Sequence, residues 1–270
     1  LLKGGNGKIY KIGKYLKDKN LPGVALFLGD GTEELVGAEL RRGFGDNDIN
    51  VVHSQVVSDI SIESITQTVF QLPPATDVVV GIGGGKALDF AKYSAHLLRL
   101  PFVSVPTSTS NDGFCSPTSS LTVGGRRKTV KSSIPFGVVI DLDVIRSCPP
   151  VFFYSGLGDM VSKITALADW KEAANRKLER YSDFASMLAY NSLDLLFIKH
   201  SFDINAPEFQ RSLTTSLLMS GISMEVAGTS RPASGSEHLV SHALDEVCAR
   251  PQMHGLQVGT AAYLCALLQN

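Results

Sequence analysis

Short apolar runs of strand length alternate, through the first half of the chain, with segments in which apolar residues recur every three or four positions. This alternation predicts strands joined by helices, and hence a parallel sheet with right-handed crossovers. The predicted strands cover 24–28, 49–52, 77–82, 102–105 and 138–140, and the predicted helices cover 33–42, 62–71 and 86–99. Ligands of such sheets gather at the carboxyl ends of the strands.

The pattern changes after Pro149 and Pro150. Before that point, Gly124 and Gly125 separate two short runs, 120–123 and 128–131, which is a hairpin signal. From Asp159, which is predicted at a helix start, long segments with helical spacing predict an all-helical region. We therefore expect an α/β nucleotide-binding domain with a Rossmann-like parallel sheet over 1–150 and a helical metal-binding domain over 151–270. The chain stops within a predicted helix, so we expect this second domain to be incomplete.

A glycine-rich run, 81–92, follows the third predicted strand and opens a helix. Bare backbone N–H groups at a helix N-terminus can approach a diphosphate closely, so the run predicts a nucleotide cradle. A P-loop would need Gly at Val80 and Ser or Thr at Ala87, and the common dinucleotide fingerprint would need Gly at Lys86. The run therefore indicates a third type of phosphate loop.

Three segments in order, GIGGGKALDFAK (81–92), PFVSVPTSTSNDG (101–113) and IPFGVVIDLDVI (134–145), carry a family resemblance. They are similar to the superfamily of iron-containing alcohol dehydrogenases, glycerol dehydrogenase, glycerol-1-phosphate dehydrogenase and 3-dehydroquinate synthase. Three shorter segments, NDG (111–113), GRRK (125–128) and SEH (236–238), resemble the glycerol-1-phosphate dehydrogenase branch most closely. The resemblance runs along nearly the whole chain and implies a dehydroquinate synthase-like fold.

Composition restricts the class of protein less than these motifs do. The chain has 270 residues, a formal net charge of −1 and 44% hydrophobic residues, so it can bury a full core and has no basic excess for nucleic acid. Its four cysteines form no CxxC pair, which favours a reducing cytoplasm. No apolar run approaches the roughly 20 residues that span a bilayer. We expect a cytoplasmic enzyme of a small substrate, and a homo-oligomer.

Three features of the second domain could converge on a metal: Asp159, the pair His238 and His242 one helical turn apart, and His254. The spacing alone is weak evidence, because HxxxH is more often a coincidental pair and Asp159 could be only a helix-terminal acid. The resemblance makes Asp159, His238 and His254 the ligands and places His242 beside the substrate. Iron enzymes of the superfamily have a fourth ligand, histidine, where this chain has Lys163, which favours a three-ligand zinc site.

The resemblance also assigns the cofactor, NAD or NADP, to a set of residues along the first domain. Asp30 follows the first predicted strand, where an acid can bind an adenosine ribose and repel a 2′-phosphate, although a turn or helix-cap role fits equally well. The remaining cofactor positions are Gly83, Gly84, Gly85, Lys86, Asp89, Thr107, Ser110 and Ser116. Asp112 is assigned to the substrate hydroxyls and, with His242, to catalysis.

Four cations within six residues, 126–131, bear on the charge of the substrate. Such a hairpin is usually a solvated edge, but cations facing the substrate would favour a phosphate monoester. We favour Lys128 and Lys131, which a regular strand places on opposite faces. The leading hypothesis is an NAD(P)-dependent oxidoreductase that interconverts dihydroxyacetone phosphate and sn-glycerol 1-phosphate. The alternatives are a glycerol or small-polyol dehydrogenase, a dehydroquinate synthase-like phosphate lyase, and a catalytically silent homologue.

Overall fold

The computed structural model describes residues 2–197 and 203–269. Its strands are β1 (Leu2–Gly5), β2 (Gly23–Leu28), β3 (Asn50–Val56), β4 (Val78–Gly83), β5 (Phe102–Pro106), β6 (Thr118–Val123), β7 (Arg126–Lys131) and β8 (Gly137–Asp141). Its helices are α1 (Ile12–Lys17), α2 (Thr32–Gly45), α3 (Ile62–Gln71), α4 (Gly85–Leu98), α5 (Leu142–Arg146), α6 (Pro150–Asn175), α7 (Asp183–Phe197), α8 (Pro207–Ala227), α9 (Ser236–Val247) and α10 (His254–Gln269). One 3₁₀ helix covers Asp112–Cys115.

The chain folds into two compact units. The first contains Leu1–Ser108 and Pro117–Cys148, and the second contains Thr109–Ser116 and Pro149–Asn270. The segment with the 3₁₀ helix thus packs with the helices that follow residue 149. As functional domains, the ranges 1–150 and 151–270 stay a prediction.

A parallel six-stranded sheet forms the first unit, in the order β1-β8-β5-β4-β2-β3. Every residue of β2, β4, β5 and β8 is buried, as expected where helices cover both faces of a parallel sheet. The chain moves outward from β2 to β3 and then returns to the other side of β2 with β4. The strand order therefore reverses between β2 and β4, and the carboxyl ends of these two strands form the place where such sheets bind ligands.

The hairpin of β6 and β7 turns at Gly124 and Gly125, whose φ angles of 58° and 75° suit a two-residue turn. Pairing continues without a register shift from Val123 opposite Arg126 to Thr118 opposite Lys131. The predicted alternation of side chains along β7 therefore applies to the whole strand.

Five helices, α6 to α10, make up most of the second unit. The fold class expected from the sequence, a Rossmann-like parallel sheet followed by helices, is confirmed. One local prediction is wrong: Asp159 lies inside α6, which begins at Pro150, and not at a helix start. Proline suits the first helical position, so the helix begins at Pro150. Gly156 and Gly158 stay within the helix, where they allow neighbouring backbone to pack closely against it. None of the helices in the described part of the chain combines the length and the apolar composition that a bilayer-spanning segment needs.

Candidate metal and cofactor sites

Close packing of α6 and α10 brings two of the predicted ligands together. Gly158 precedes Asp159 on α6, and a Cβ atom at Gly158 would lie 2.2 Å from the carbonyl oxygen of Gly255. Gly255 follows His254 on α10, and a Cβ atom there would lie 1.9 Å from the carbonyl oxygen of Ser155. Only glycine lets the two backbones approach this closely, so each ligand stands beside the residue that permits the contact.

Asp159, His238 and His254 form a cluster in which one ligand atom from each residue lies within 4.8 Å of the others. Nε2 of His238 is 3.9 Å from Oδ1 of Asp159, and the centres of the two imidazole rings are 5.0 Å apart. Asp159 and His238 are buried, and His254 is half-buried. The three residues that the sequence singles out as ligands therefore lie where one ion could contact all of them.

The chemistry of the donors fits a divalent metal ion. Oδ2 of Asp159 accepts a hydrogen bond from the backbone N–H of Asp112 at 3.0 Å, while the buried Oδ1 has the ammonium of Lys163 as an ion-pair partner at 3.1 Å. Burial, and then the charge of Asp112, raise the pKa of Asp159. A bound cation would offset both effects. One carboxylate with two imidazoles is a usual set of zinc ligands, with one position left for a substrate oxygen.

Lys163 lies one turn after Asp159 with its side chain fully buried. Its Nζ is 3.0 Å from Oδ2 of Asp112 and 3.1 Å from Oδ1 of Asp159. Burial alone would lower the pKa of Lys163, but the two carboxylates outweigh it and raise the pKa, so the side chain is an ammonium. Burial likewise opposes the ionisation of Asp112, yet Lys163 and the hydroxyl of Ser220, which donates at 2.7 Å, lower its pKa. Sequence reasoning noted Lys163 as a non-ligand but not this ion-pair role.

Glu237 is a buried acid that precedes His238 on α9, and no role was predicted for it. It accepts hydrogen bonds from the backbone N–H of Gly235 at 2.7 Å and from the hydroxyl of Thr165 at 2.8 Å, and its Oε1 lies 2.7 Å from Nδ1 of His238. Burial raises the pKa of this carboxyl, but these hydrogen bonds outweigh the effect and lower it. Two sequence signals point to it, its place in the motif 236–238 and its position next to the predicted ligand His238.

His242, the predicted substrate neighbour, lies outside the cluster of three. It is half-buried, and the centre of its ring is 6.5 Å from that of His254. Asp112 is in the same unit and reaches the cluster through its backbone N–H and through Lys163. The roles of His242 and Asp112 toward a substrate stay predictions.

In the first unit, the glycine run lies at the reversal of strand order. Gly83 has φ +146°, and a Cβ atom there would be 2.9 Å from the backbone nitrogen of Gly29 at the end of β2. Gly84 caps α4 without a side chain and has no atom within 4 Å of its Cβ position. Gly85 and Lys86 open the helix, with Lys86 exposed. Backbone N–H groups at an open helix N-terminus are the geometry that binds phosphate.

Two further predicted cofactor residues lie beside this loop. Thr107 donates its backbone N–H to the carbonyl oxygen of Gly83 at 3.0 Å. Asp30 is exposed in the turn after β2, next to Gly31, which caps α2. No side chain caps this helix, so the alternative role of Asp30 as a helix cap is not the one that the structure shows.

Asp89 points into the packing of the hairpin. It lies 3.4 Å from the buried ammonium of Lys92, which donates to the carbonyl oxygen of Thr118 at 2.6 Å. Burial raises the pKa of Asp89, with Lys92 opposing the shift. These contacts tie α4 to β6, and the cofactor role of Asp89 stays a prediction.

Ser110 and Ser116, also predicted to contact the cofactor, belong to the second unit. The carbonyl oxygen of Ser110 accepts from the hydroxyl of Ser155 at 2.9 Å. The buried hydroxyl of Ser116 donates to the carbonyl oxygen of Gly113 at 3.3 Å at the end of the 3₁₀ helix. Both serines thus have local structural contacts, and their cofactor role stays a prediction.

The predicted phosphate-binding lysines lie on opposite faces of β7. Lys128 is paired with the buried Leu121, whereas Lys131 is paired with Thr118, and both lysines are exposed. Because the pairing is regular, one face of the strand cannot present both ammonium groups.

The parallel sheet with a glycine loop, followed by helices that carry an acidic residue and two histidines, agrees with the comparison of this chain with known proteins. A sequence model described as iron-containing alcohol dehydrogenase matches residues 3–149. The chain belongs to this family, and the family identified from the ordered motifs is confirmed.

Within this family, the chain is similar to curated glycerol-1-phosphate dehydrogenases. A glycerol-1-phosphate dehydrogenase (NAD(P)+) of Metallosphaera sedula is 36% identical over 98% of this chain and 76% of its own length. One of Methanococcoides burtonii is 34% identical over 98% of this chain and 75% of its own length. Among solved structures, glycerol dehydrogenase from Schizosaccharomyces pombe has a TM-score of 0.84 and 22% identity, covering 100% of this chain and 71% of that one. This last likeness concerns the fold.

Proposed function

We propose that the chain is an NAD(P)-dependent oxidoreductase that interconverts dihydroxyacetone phosphate and sn-glycerol 1-phosphate. The observation that carries the proposal is the convergence of Asp159, His238 and His254, since alcohol dehydrogenation needs a site that can hold a substrate oxygen. The glycine loop at the reversal of strand order supports a nicotinamide cofactor. The choice of substrate rests on the curated relatives, which are named for glycerol 1-phosphate.

Asp159, His238 and His254 would hold one divalent metal, and we favour zinc because Lys163 cannot serve as a fourth ligand. When bound, such a metal polarises the oxygen of the alcohol or ketone, and the nicotinamide exchanges the hydride. The residues of the chain orient the substrate. Lys163 and Ser220 engage Oδ2 of Asp112, so a substrate hydroxyl would donate to Oδ1.

Because Lys163 lowers the pKa of Asp112 despite its burial, this carboxylate acts only as an acceptor. It can therefore fix the orientation of a hydroxyl without giving up a proton. We assign the exchange of the proton with the substrate oxygen to His242, which stands one turn after His238 on α9.

A glycerol or small-polyol dehydrogenase is the second candidate. The observation that favours it is the exposure of Lys128 and Lys131 on opposite faces of β7, because burying a phosphate dianion requires cations that converge on it. A cytoplasmic location and a homo-oligomeric state belong to the proposal as well.

One assay separates the candidates. Oxidation of NADH and of NADPH is followed by near-ultraviolet absorbance with dihydroxyacetone phosphate or dihydroxyacetone, with and without a metal chelator, while released phosphate is measured in parallel. We expect faster oxidation with the phosphate ester and loss of activity with chelator. Equal efficiency with dihydroxyacetone would favour the polyol dehydrogenase, and phosphate release without net NADH change would favour the lyase.

A pair of histidine variants tests the site itself. His254→Ala should lose both bound metal and turnover. His96→Ala is the matched control, because His96 lies in the first unit, where its Nδ1 contacts the hydroxyl of Ser133 at 2.9 Å. Stoichiometric metal and normal turnover in His254→Ala would show that the ligand assignment is wrong.

A further inference from the structure

The two ring nitrogens of His238 face different partners. Nε2 lies 3.9 Å from Oδ1 of Asp159, toward the proposed metal, whereas Nδ1 lies 2.7 Å from Oε1 of Glu237. Glu237 is fully buried and comes from the same helix, α9. A carboxylate is therefore held against the nitrogen of the ring that is not turned toward the other ligands.

We propose that Glu237 is a positioning residue that fixes His238 as a metal ligand, an inference that rests on the metal site of the proposed function. Oε1 of Glu237 also accepts the backbone N–H of Gly235, so in the 2.7 Å contact this oxygen is the acceptor and Nδ1 the donor, which leaves Nε2 with its lone pair. The negative charge behind the ring also makes Nε2 a more basic ligand. Glu237 thus acts on the metal through His238 and does not itself bind the ion.

The other contacts of Glu237 hold it in that place. The backbone N–H of Gly235 also donates to Oε1, and the hydroxyl of Thr165 on α6 donates to Oε2. An acid in the first turn of a helix commonly serves only to stabilise the helix terminus, and such acids are usually solvated. Full burial and the short contact to the imidazole distinguish Glu237 from that ordinary role.

His254 has a different outer contact, which provides an internal comparison. Its Nδ1 lies 3.3 Å from the hydroxyl of Ser241, which stands one turn after Glu237 on α9 and also bonds Gln257 at 2.7 Å. A neutral hydroxyl orients an imidazole but adds no negative charge. Loss of Glu237's charge should therefore weaken metal binding more than loss of the Ser241 hydroxyl.

Glu237→Gln removes the charge and preserves the shape. The amide oxygen of the glutamine can still accept hydrogen bonds from Gly235 and His238, and its amide nitrogen can donate to the hydroxyl of Thr165. That hydroxyl can in turn donate to the carbonyl oxygen of Ser162, which lies 3.0 Å away. Every hydrogen bond of the network can thus be kept. Glu246→Gln, at an exposed position of α9, is the matched control for loss of one charge from the same helix.

The readouts are the dissociation constant for zinc, measured against a chromophoric chelator, the absorption bands of bound cobalt, and the unfolding midpoint of the metal-free protein. We expect Glu237→Gln to weaken zinc binding by about 10- to 100-fold and to shift the cobalt bands, with an unchanged metal-free midpoint. Ser241→Ala should weaken binding less, and Glu246→Gln should leave it unchanged.

Unchanged zinc affinity and cobalt bands in Glu237→Gln, with a wild type that binds zinc, would overturn the positioning role and leave the proposed function intact. A lower metal-free midpoint without a change in affinity would also overturn it, since that result describes a structural acid. A wild type that binds no divalent metal would overturn both the inference and the metal site of the proposed function.

Discussion

The contact between α6 and α10 makes Gly255 a position at which an added side chain should disturb metal binding. In Gly255→Ala, the new Cβ atom would lie 1.9 Å from the carbonyl oxygen of Ser155, and such contacts are essentially never shorter than 3.0 Å. The backbones must separate by about 1.1 Å, the difference between these two distances. The nearest atoms belong to the backbone of Ser155, so rotation of a side chain cannot relieve the clash.

This separation would change the distance between two of the proposed metal ligands. Asp159 lies on α6 and His254 on α10, so moving the helices apart moves one ligand away from another. Metal coordination distances tolerate only about 0.2 Å. We therefore expect Gly255→Ala to lose most of its zinc affinity, in addition to a cost of about 1–3 kcal/mol in unfolding free energy from overpacking.

Denaturant unfolding with and without zinc, together with metal content after dialysis, measures both effects. Wild type should gain stability with zinc in proportion to the logarithm of its concentration, whereas Gly255→Ala should gain little. Gly45→Ala is the control, because a Cβ atom at the end of α2 meets nothing within 4 Å. If Gly255→Ala keeps stoichiometric zinc at wild-type affinity, close packing of these helices does not position the ligands.

Three other substitutions test separate parts of the proposal. Asp30→Ser should relax a preference for NADH over NADPH by about 1–3 kcal/mol, because it removes a charge that repels the 2′-phosphate; equal efficiencies with both cofactors in wild type would exclude this role. Lys128→Ala and Lys131→Ala should not both change the ratio of efficiencies for dihydroxyacetone phosphate and dihydroxyacetone, since the lysines lie on opposite faces of β7. Lys163→Met should cost about 3–5 kcal/mol of unfolding free energy in the metal-free protein, because it leaves carboxylates buried without their cation. Burial raises the pKa of Asp112, but Lys163 outweighs this effect and lowers it below the value of the unfolded chain. The stability from this pair is therefore present above a pH of about 3.9 and is lost as the pH falls through the pKa of the folded state. The acid limb of a plot of stability against pH should thus be shallower in Lys163→Met.

Local patterns were sufficient to predict most of the first unit. Its central strands are continuous apolar runs bounded by turn residues, and the two-glycine turn of the hairpin has a local signature. The edge strand β1 was not predicted, because Leu2–Gly5 contains two glycines and no β-branched residue. It is stabilised by pairing with β8, which no local pattern reveals.

The candidate metal site was predictable only in part. The identities of Asp159, His238 and His254 came from the family resemblance, while their convergence depends on packing between α6, α9 and α10. The contacts of Glu237 could not be predicted from the sequence because its partner Thr165 is 72 positions away. The interior position of Asp159 in α6 was missed because glycines ordinarily weaken helices, whereas here they allow helix contact.

The balance of buried charge explains how an ammonium can lie beside a proposed metal ligand. Asp112, Asp159 and Glu237 are buried carboxylates, and Lys163 is the buried ammonium among them, so these side chains together carry two negative charges when ionised. A divalent cation with neutral histidines would neutralise that charge, and a buried site is stable only when its charges are compensated. An uncharged residue at position 163 would leave three negative charges and would also leave Oδ2 of Asp112 without its cation. In the proposed site, Lys163 would therefore limit the protein to three ligands and would set the charge that a bound ion has to balance.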